Sequence, residues 1–149
     1  RMLSHYSFLQ RTEPELIQRK GRMLALEELL ASKPHIHFDN ALVRHFGGVD
    51  ERAFPPGTIG QEQFDAAVYF LRTGFTFVGH QEFAAEAYAC MRERFGWNAR
   101  PRLEIVNAAE TRIEDARLPA ICQAMAQYNP WDCKLYEEIL RLFPYRRNG

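Results

Sequence analysis

Residues 75–97 read FTFVGHQEFAAEAYACMRERFGW, and the class of the whole chain turns on how this stretch folds. Residues 75–78, Phe-Thr-Phe-Val, form a short apolar, β-prone run that Gly79 ends. Phe83, Ala87, Cys90, Met91 and Arg94 then recur at helical spacing up to Phe95 and Gly96. A buried strand, a glycine turn and an amphipathic helix closed by glycine is the grammar of an α/β protein. Upstream, residues 61–72 place Phe64, Ala67, Val68 and Leu71 on one helical face, closed by Gly74. That helix feeds the expected strand, and parallel strands of this kind are covered by helices on both faces.

Toward the N-terminus, Met2, Leu3, Tyr6 and Leu9 share one helical stripe. Thr12-Glu13-Pro14-Glu15 has the form of a capping box with an early proline. It predicts a helix running through Leu16, Ile17, Met23, Leu26, Leu29 and Leu30 to about Ser32. Gly21 inside it costs ~1 kcal/mol. Lys33-Pro34 stops this helix. His35, His37 and Asp39 follow, too few ligands at recognisable spacing to define a metal site.

Asp39 is a candidate N-cap for a short helix carrying Leu42, Val43 and Phe46, ended by Gly47-Gly48. Asn40 and Arg44 lie one turn apart on it. An amide and a guanidinium so placed can bind a sulfate, a phosphate or an acidic acceptor; equally, they can tie the helix to a neighbouring loop. Residues 49–60, VDERAFPPGTIG, are rich in proline and glycine and read as a long loop. Residues 98–116 are polar, with one β-like patch at 103–106. Leu118, Ile121, Cys122 and Met125 form one helix face. Asn129-Pro130 starts a last helix, with Asp132 suiting the positive end of its dipole and Leu135, Ile139 and Leu142 as its core stripe.

The bulk numbers fit one globular domain. A chain of 149 residues buries roughly 70% of its unfolded surface. With 46% apolar and 26% charged residues it reads as neither disordered nor membranous, and no run approaches the ~20 apolar residues of a spanning helix. Nineteen basic and nineteen acidic residues leave no net charge, which disfavours general nucleic-acid binding but allows a local anion site. Cys90, Cys122 and Cys133 lack C-x-x-C spacing and leave one unpaired, so buried thiols in a reducing compartment are expected ahead of a single disulfide. With no N-x-S/T sequon, a cytoplasmic, bacterial-like protein is expected. Arg1 opens directly inside a helical pattern, so the chain reads as a piece of a longer one.

Five short segments together resemble the PAPS-dependent sulfotransferases, specifically their carbohydrate branch. Arg1-Met2-Leu3-Ser4-His5-Tyr6 is similar to the second half of the family's 3′-phosphate-binding pattern, R-D-P-x-x-R-x-x-S-x-Y. Residues 39–48 resemble its D-N-x-x-x-R-x-x-x-G, and Phe77-Val78-Gly79 its F-V-G turn, with Glu82 in the acidic place that follows. Residues 107–112 are similar to its N-x-S-x-x-R-P loop, with Ala109 replacing the hydroxyl residue and Ile113 the proline. Residues 129–136 resemble its terminal N-x-x-D-x-x-L-Y helix. The five occur in the family's order over almost the whole chain.

The resemblance implies the helix-rich C-terminal part of a P-loop-like α/β sulfotransferase domain with few parallel strands, residues 1–149 forming a single partial domain. It implies PAPS as co-substrate, no metal, and sulfuryl transfer to a hydroxyl of a sugar-like acceptor. Ser4, Asn107 and Arg112 are then expected to bind cofactor, and Asn40 and Arg44 substrate. No catalytic residue is assigned. No G-x-x-K-[ST]-type loop occurs in the chain, so the 5′-phosphosulfate loop and the base are expected upstream and the chain alone is expected to be inactive. An anchor there would place the enzyme in the Golgi lumen instead. Two other readings stay open, a helical protein-interaction module without catalysis and a kinase-like nucleotide-binding α/β transferase.

Overall fold

The computed structural model of the protein describes residues 2–97 and 118–144, and for Met2, Leu3, Ser4 and Glu82 only the backbone. Among these residues it is helix-rich. The helices are α1 (Met2–Thr12), α2 (Leu26–Ser32), α3 (Ala41–Phe46), α4 (Gln61–Thr73), α5 (Ala84–Phe95), α6 (Leu118–Tyr128) and α7 (Pro130–Leu142). Three short 3-10 turns, η1 (Pro14–Ile17), η2 (Ile36–Phe38) and η3 (Gln81–Phe83), join them. The described strands are β1 (Gln18–Arg19) and β2 (Arg22–Met23), paired antiparallel with Gln18 opposite Met23.

The helix expected from Thr12 to Ser32 is therefore broken by a hairpin. Lys20 (φ 52°) and Gly21 (φ 76°) are both left-handed, and two such residues in succession make the tight turn whose twist suits a two-residue hairpin. The hairpin lets Ile17 and Leu24, on its two sides, both reach the core, with the Leu24 N–H donating to the Ile17 carbonyl at 2.9 Å. The Tyr6 hydroxyl on α1 donates to the Leu24 carbonyl at 2.8 Å and holds the exit strand in place.

Residues 75–78 form no strand either. Phe75 is 42% exposed and its ring meets Phe46 edge-on, while Val78 packs against the α3–α4–α7 cluster. An extended run becomes a strand only beside a partner, since β-propensity mostly measures packing against neighbours. Here the neighbours are helices. The β-like patch at 103–106 lies outside the described residues. The α/β expectation thus holds for helix content, while the expected parallel strand at 75–78 is replaced by a connector.

Two apolar cores result. Leu9, Ile17, Leu24, Leu26, Leu29, Leu30 and Phe38 close with Ile121 and Ala124 of α6. Val43, Ile59, Ala67, Leu71, Leu135 and Ile139 unite α3, α4 and α7. The α6–α7 corner, with Pro130 in the first turn where no intrahelical N–H is needed, links the two. Helix α5 is peripheral and buries Ala87. His80, ahead of it, hydrogen-bonds the Tyr136 hydroxyl on α7. Cys90 and Cys122 are exposed and Cys133 half-buried, all as free thiols. The expectation of buried thiols is corrected: α6 turns Ile121 and Ala124 inward, which carries Cys122 outward.

Gly47 marks the tightest approach near the candidate site. A Cβ there would lie 2.8 Å from the Val43 carbonyl oxygen and 3.2 Å from that of Gln63. Both obstacles are backbone, so neither can rotate away. Gly47→Ala is expected to destabilise the chain by about 1–3 kcal/mol, the usual cost of overpacking, read as a lower urea midpoint with an unchanged slope. An unchanged midpoint would mean that α3 and α4 separate freely at this point.

Candidate functional site

Asn40 is the pivot of a buried polar cluster. Its backbone is left-handed (φ 46°, ψ 50°), a conformation asparagine tolerates better than most residues. Its side-chain Oδ1 accepts from the backbone N–H groups of Trp131 (3.1 Å) and Asp132 (3.2 Å), in the first turn of α7. In return, the Asp132 carboxylate accepts from the N–H groups of Leu42 (3.1 Å) and Val43 (3.0 Å), in the first turn of α3. The Asn129 side-chain oxygen accepts from the Asn40 N–H at 2.6 Å. The first N–H groups of any helix lack intrahelical partners; here each helix supplies or precedes the cap of the other. Acidic Asp132 also faces the positive end of the α3 dipole.

Asp39, fully buried, anchors the other side. Its carboxylate accepts from Arg44 Nη2 (2.6 Å), Lys33 Nζ (2.5 Å), the Gly57 N–H (2.9 Å) and Asn40 Nδ2 (3.2 Å). Burial pushes this carboxyl up, but the hydrogen bonds from Arg44, Lys33 and the Gly57 N–H outweigh it and hold the pKa below the ordinary value. Arg44 also donates from Nε to the Asp39 carbonyl (2.9 Å), from Nη1 to the Phe54 carbonyl (2.7 Å) and from Nη2 to the Pro55 carbonyl (3.0 Å). The planar guanidinium fork suits several acceptors at once. Arg44 thereby fixes the loop at 49–60 to the start of α3.

Asn40 (2% exposed) and Arg44 (6%) are thus brought together, but facing protein. Their donors and acceptors meet carbonyls, carboxylates and helix ends, so an acceptor molecule does not reach them here and the geometry gives them the tying role. Ser4 lies in the first turn of α1, its side chain not among the described atoms. Asn107 and Arg112 lie outside the described residues. The expected grouping of these three cofactor residues thus lies outside the described residues.

A groove that the sequence did not single out opens beside α1. It encloses about 330 Å³ between His5, Phe8 and Leu9 of α1, Glu13 and Leu16 below, and His35, His37 and Phe38 at η2. The His35 and His37 rings are 4.6 Å apart and those of His5 and His37 5.0 Å. Among the described residues, no group of three or more His, Cys, Asp or Glu is arranged to hold a metal ion. His35 and His37 stand out locally as His-x-His, but nothing near His5 in sequence announces its arrival beside them.

No family model, curated protein or solved structure matches the chain.

Proposed function

We propose that this chain is the downstream part of a PAPS-dependent sulfotransferase that sulfates a hydroxyl of a carbohydrate-like acceptor. One observation carries the reading. Residues 39–44 and 129–136, two of the five family-like segments, interlock through Asn40, Asn129 and Asp132 although about ninety positions apart. Two similarities that depend on each other physically are worth more than two scattered ones. In this reading Ser4, Asn107 and Arg112 approach the cofactor's 3′-phosphate, where donor hydrogen bonds to charged oxygens are strong. Arg44 acts on the acceptor side indirectly, by fixing the loop at 49–60, and Asn40 by holding the start of α3 against α7. The acceptor oxygen bonds to sulfur, the sulfur–oxygen bond to the 5′-phosphate breaks, and a base takes the hydroxyl proton. The reading places the enzyme in a bacterial-like cytoplasm; an anchor ahead of residue 1 would place it in the Golgi lumen. No helix among the described residues is long and apolar enough to cross a membrane.

The test is transfer of radiolabelled sulfate from PAPS to a panel of sugars. The isolated chain, which contains no phosphosulfate loop, is expected to be inactive. A longer form carrying such a loop ahead of residue 1 is expected to be active. Transfer by the isolated chain, or by neither form, would defeat the proposal. The lack of a strand at 75–78 favours a second reading, a helical protein-interaction module. That reading requires the longer form to bind no PAP by calorimetry.

A further inference from the structure

We infer that the groove between α1, η1 and η2 binds a small organic cation carrying one ring, such as an arylalkylammonium. Among the described residues lining it, Glu13 is the one carboxylate, and none is a lysine or arginine. Lys33, just ahead of η2, turns its ammonium to Asp39 instead. Glu13 stands in the capping position before η1, yet its side chain makes no cap hydrogen bond. Among the described residues no other hydrogen bond or ion pair engages that carboxylate. Its oxygens are therefore open to a ligand ammonium, whose N–H groups would make charge-assisted hydrogen bonds to them. The rest of the groove suits an apolar body. Leu9 and Phe38 are buried at its floor, and Phe8 and Leu16 stand exposed at its edge. The rings of His5, His37 and His35 follow one another at 5.0 and 4.6 Å, and His5 also packs on Phe38 at 5.9 Å. Aromatic ring faces carry the negative part of the ring quadrupole, so a space lined by Phe8 and Phe38 favours a cation over an anion. The volume, about 330 Å³, is at the lower end of small-molecule sites, which limits the ligand to roughly one ring with its charged group. None of the residues assigned to PAPS or to the acceptor takes part, so failure here and failure of the sulfotransferase reading are distinguishable.

The experiment titrates the 149-residue chain with benzylammonium, and with benzyl alcohol, methylammonium and benzoate as controls. Binding is read by calorimetry and by the methyl proton signals of Leu9 and Leu16. Benzylammonium is expected to bind about tenfold more tightly than each control, and its ring should shift both sets of methyl signals. Glu13→Gln, at an exposed position, removes the charge and keeps the shape. It should lower benzylammonium affinity about tenfold and leave benzyl alcohol binding unchanged. Leu16→Lys, at a 41% exposed edge and so compatible with folding, should weaken benzylammonium binding by opposing the cation. The inference is overturned if benzylammonium fails to bind or to shift those signals, if any control binds as tightly, or if both variants bind like the parent.

Discussion

Asp39→Ala is expected to lower the stability of the chain by about 3–5 kcal/mol, because it strands the buried Arg44 guanidinium without its carboxylate. For a domain of this size that is a fall in melting temperature of roughly 10 °C or more. The loss has four parts: the Arg44 ion pair, the Lys33 contact and the bonds from the Gly57 N–H and Asn40 Nδ2. Asp39→Asn keeps the shape and removes the charge, so most of the loss should remain. Adding Arg44→Met to Asp39→Ala should recover part of it, because an apolar pair needs no mutual neutralisation. A melting temperature within a degree or two of the parent for Asp39→Ala would contradict this account of the cluster.

The same carboxylate sets a pH dependence. Its pKa is lowered in the folded chain, so the unfolded chain binds the proton more readily. The stability it contributes is complete above the unfolded value of about 4 and declines as pH falls through the folded value. Acid melts of the parent should therefore steepen below about pH 4. The Asp39→Asn variant should show a shallower decline.

The second large effect concerns the reciprocal caps. Asp132→Ala leaves the Leu42 and Val43 N–H groups without their acceptor. A buried donor so left costs about 1–3 kcal/mol, so a total loss of about 2–4 kcal/mol is expected. Asn40→Gly removes the Oδ1 cap of α7 while keeping a residue at ease in the left-handed region. This separates the side-chain role from the backbone one. Each cap acts only while α3 and α7 stay docked, so the double variant should lose less than the sum of the singles by about 0.5–3 kcal/mol. Strict additivity, measured by urea denaturation, would mean that the two helix ends are independent.

Periodic helices were legible without coordinates. The stripes of α4, α6 and α7, with their glycine and proline ends, rely on residues three or four apart and on short-range backbone geometry. The glycine closing α5 is likewise local, left-handed Gly96. The hairpin at Gln18–Arg19 and Arg22–Met23 was missed because Pro14, Glu15 and Leu16 support a helix start, so Gly21 read as a tolerated interruption. In the fold, the left-handed pair Lys20 and Gly21 wins because it lets both Ile17 and Leu24 reach the core. The strand at 75–78 was misread for a related reason: apolar, β-prone residues do not say whether a strand or a helix lies next to them.

From sequence alone came the helical character, the positions of most helix ends, and the choice between two roles for Asn40 and Arg44. Only the folded chain decided that choice, because Asn129, Trp131 and Asp132 meet Asn40 and α3 from about ninety residues away. The same holds for His5, which reaches His37 across some thirty residues. Helical periodicity is written into neighbouring residues, whereas a capping partner or a groove wall is set by which helices pack together. No pattern confined to one element carries that information.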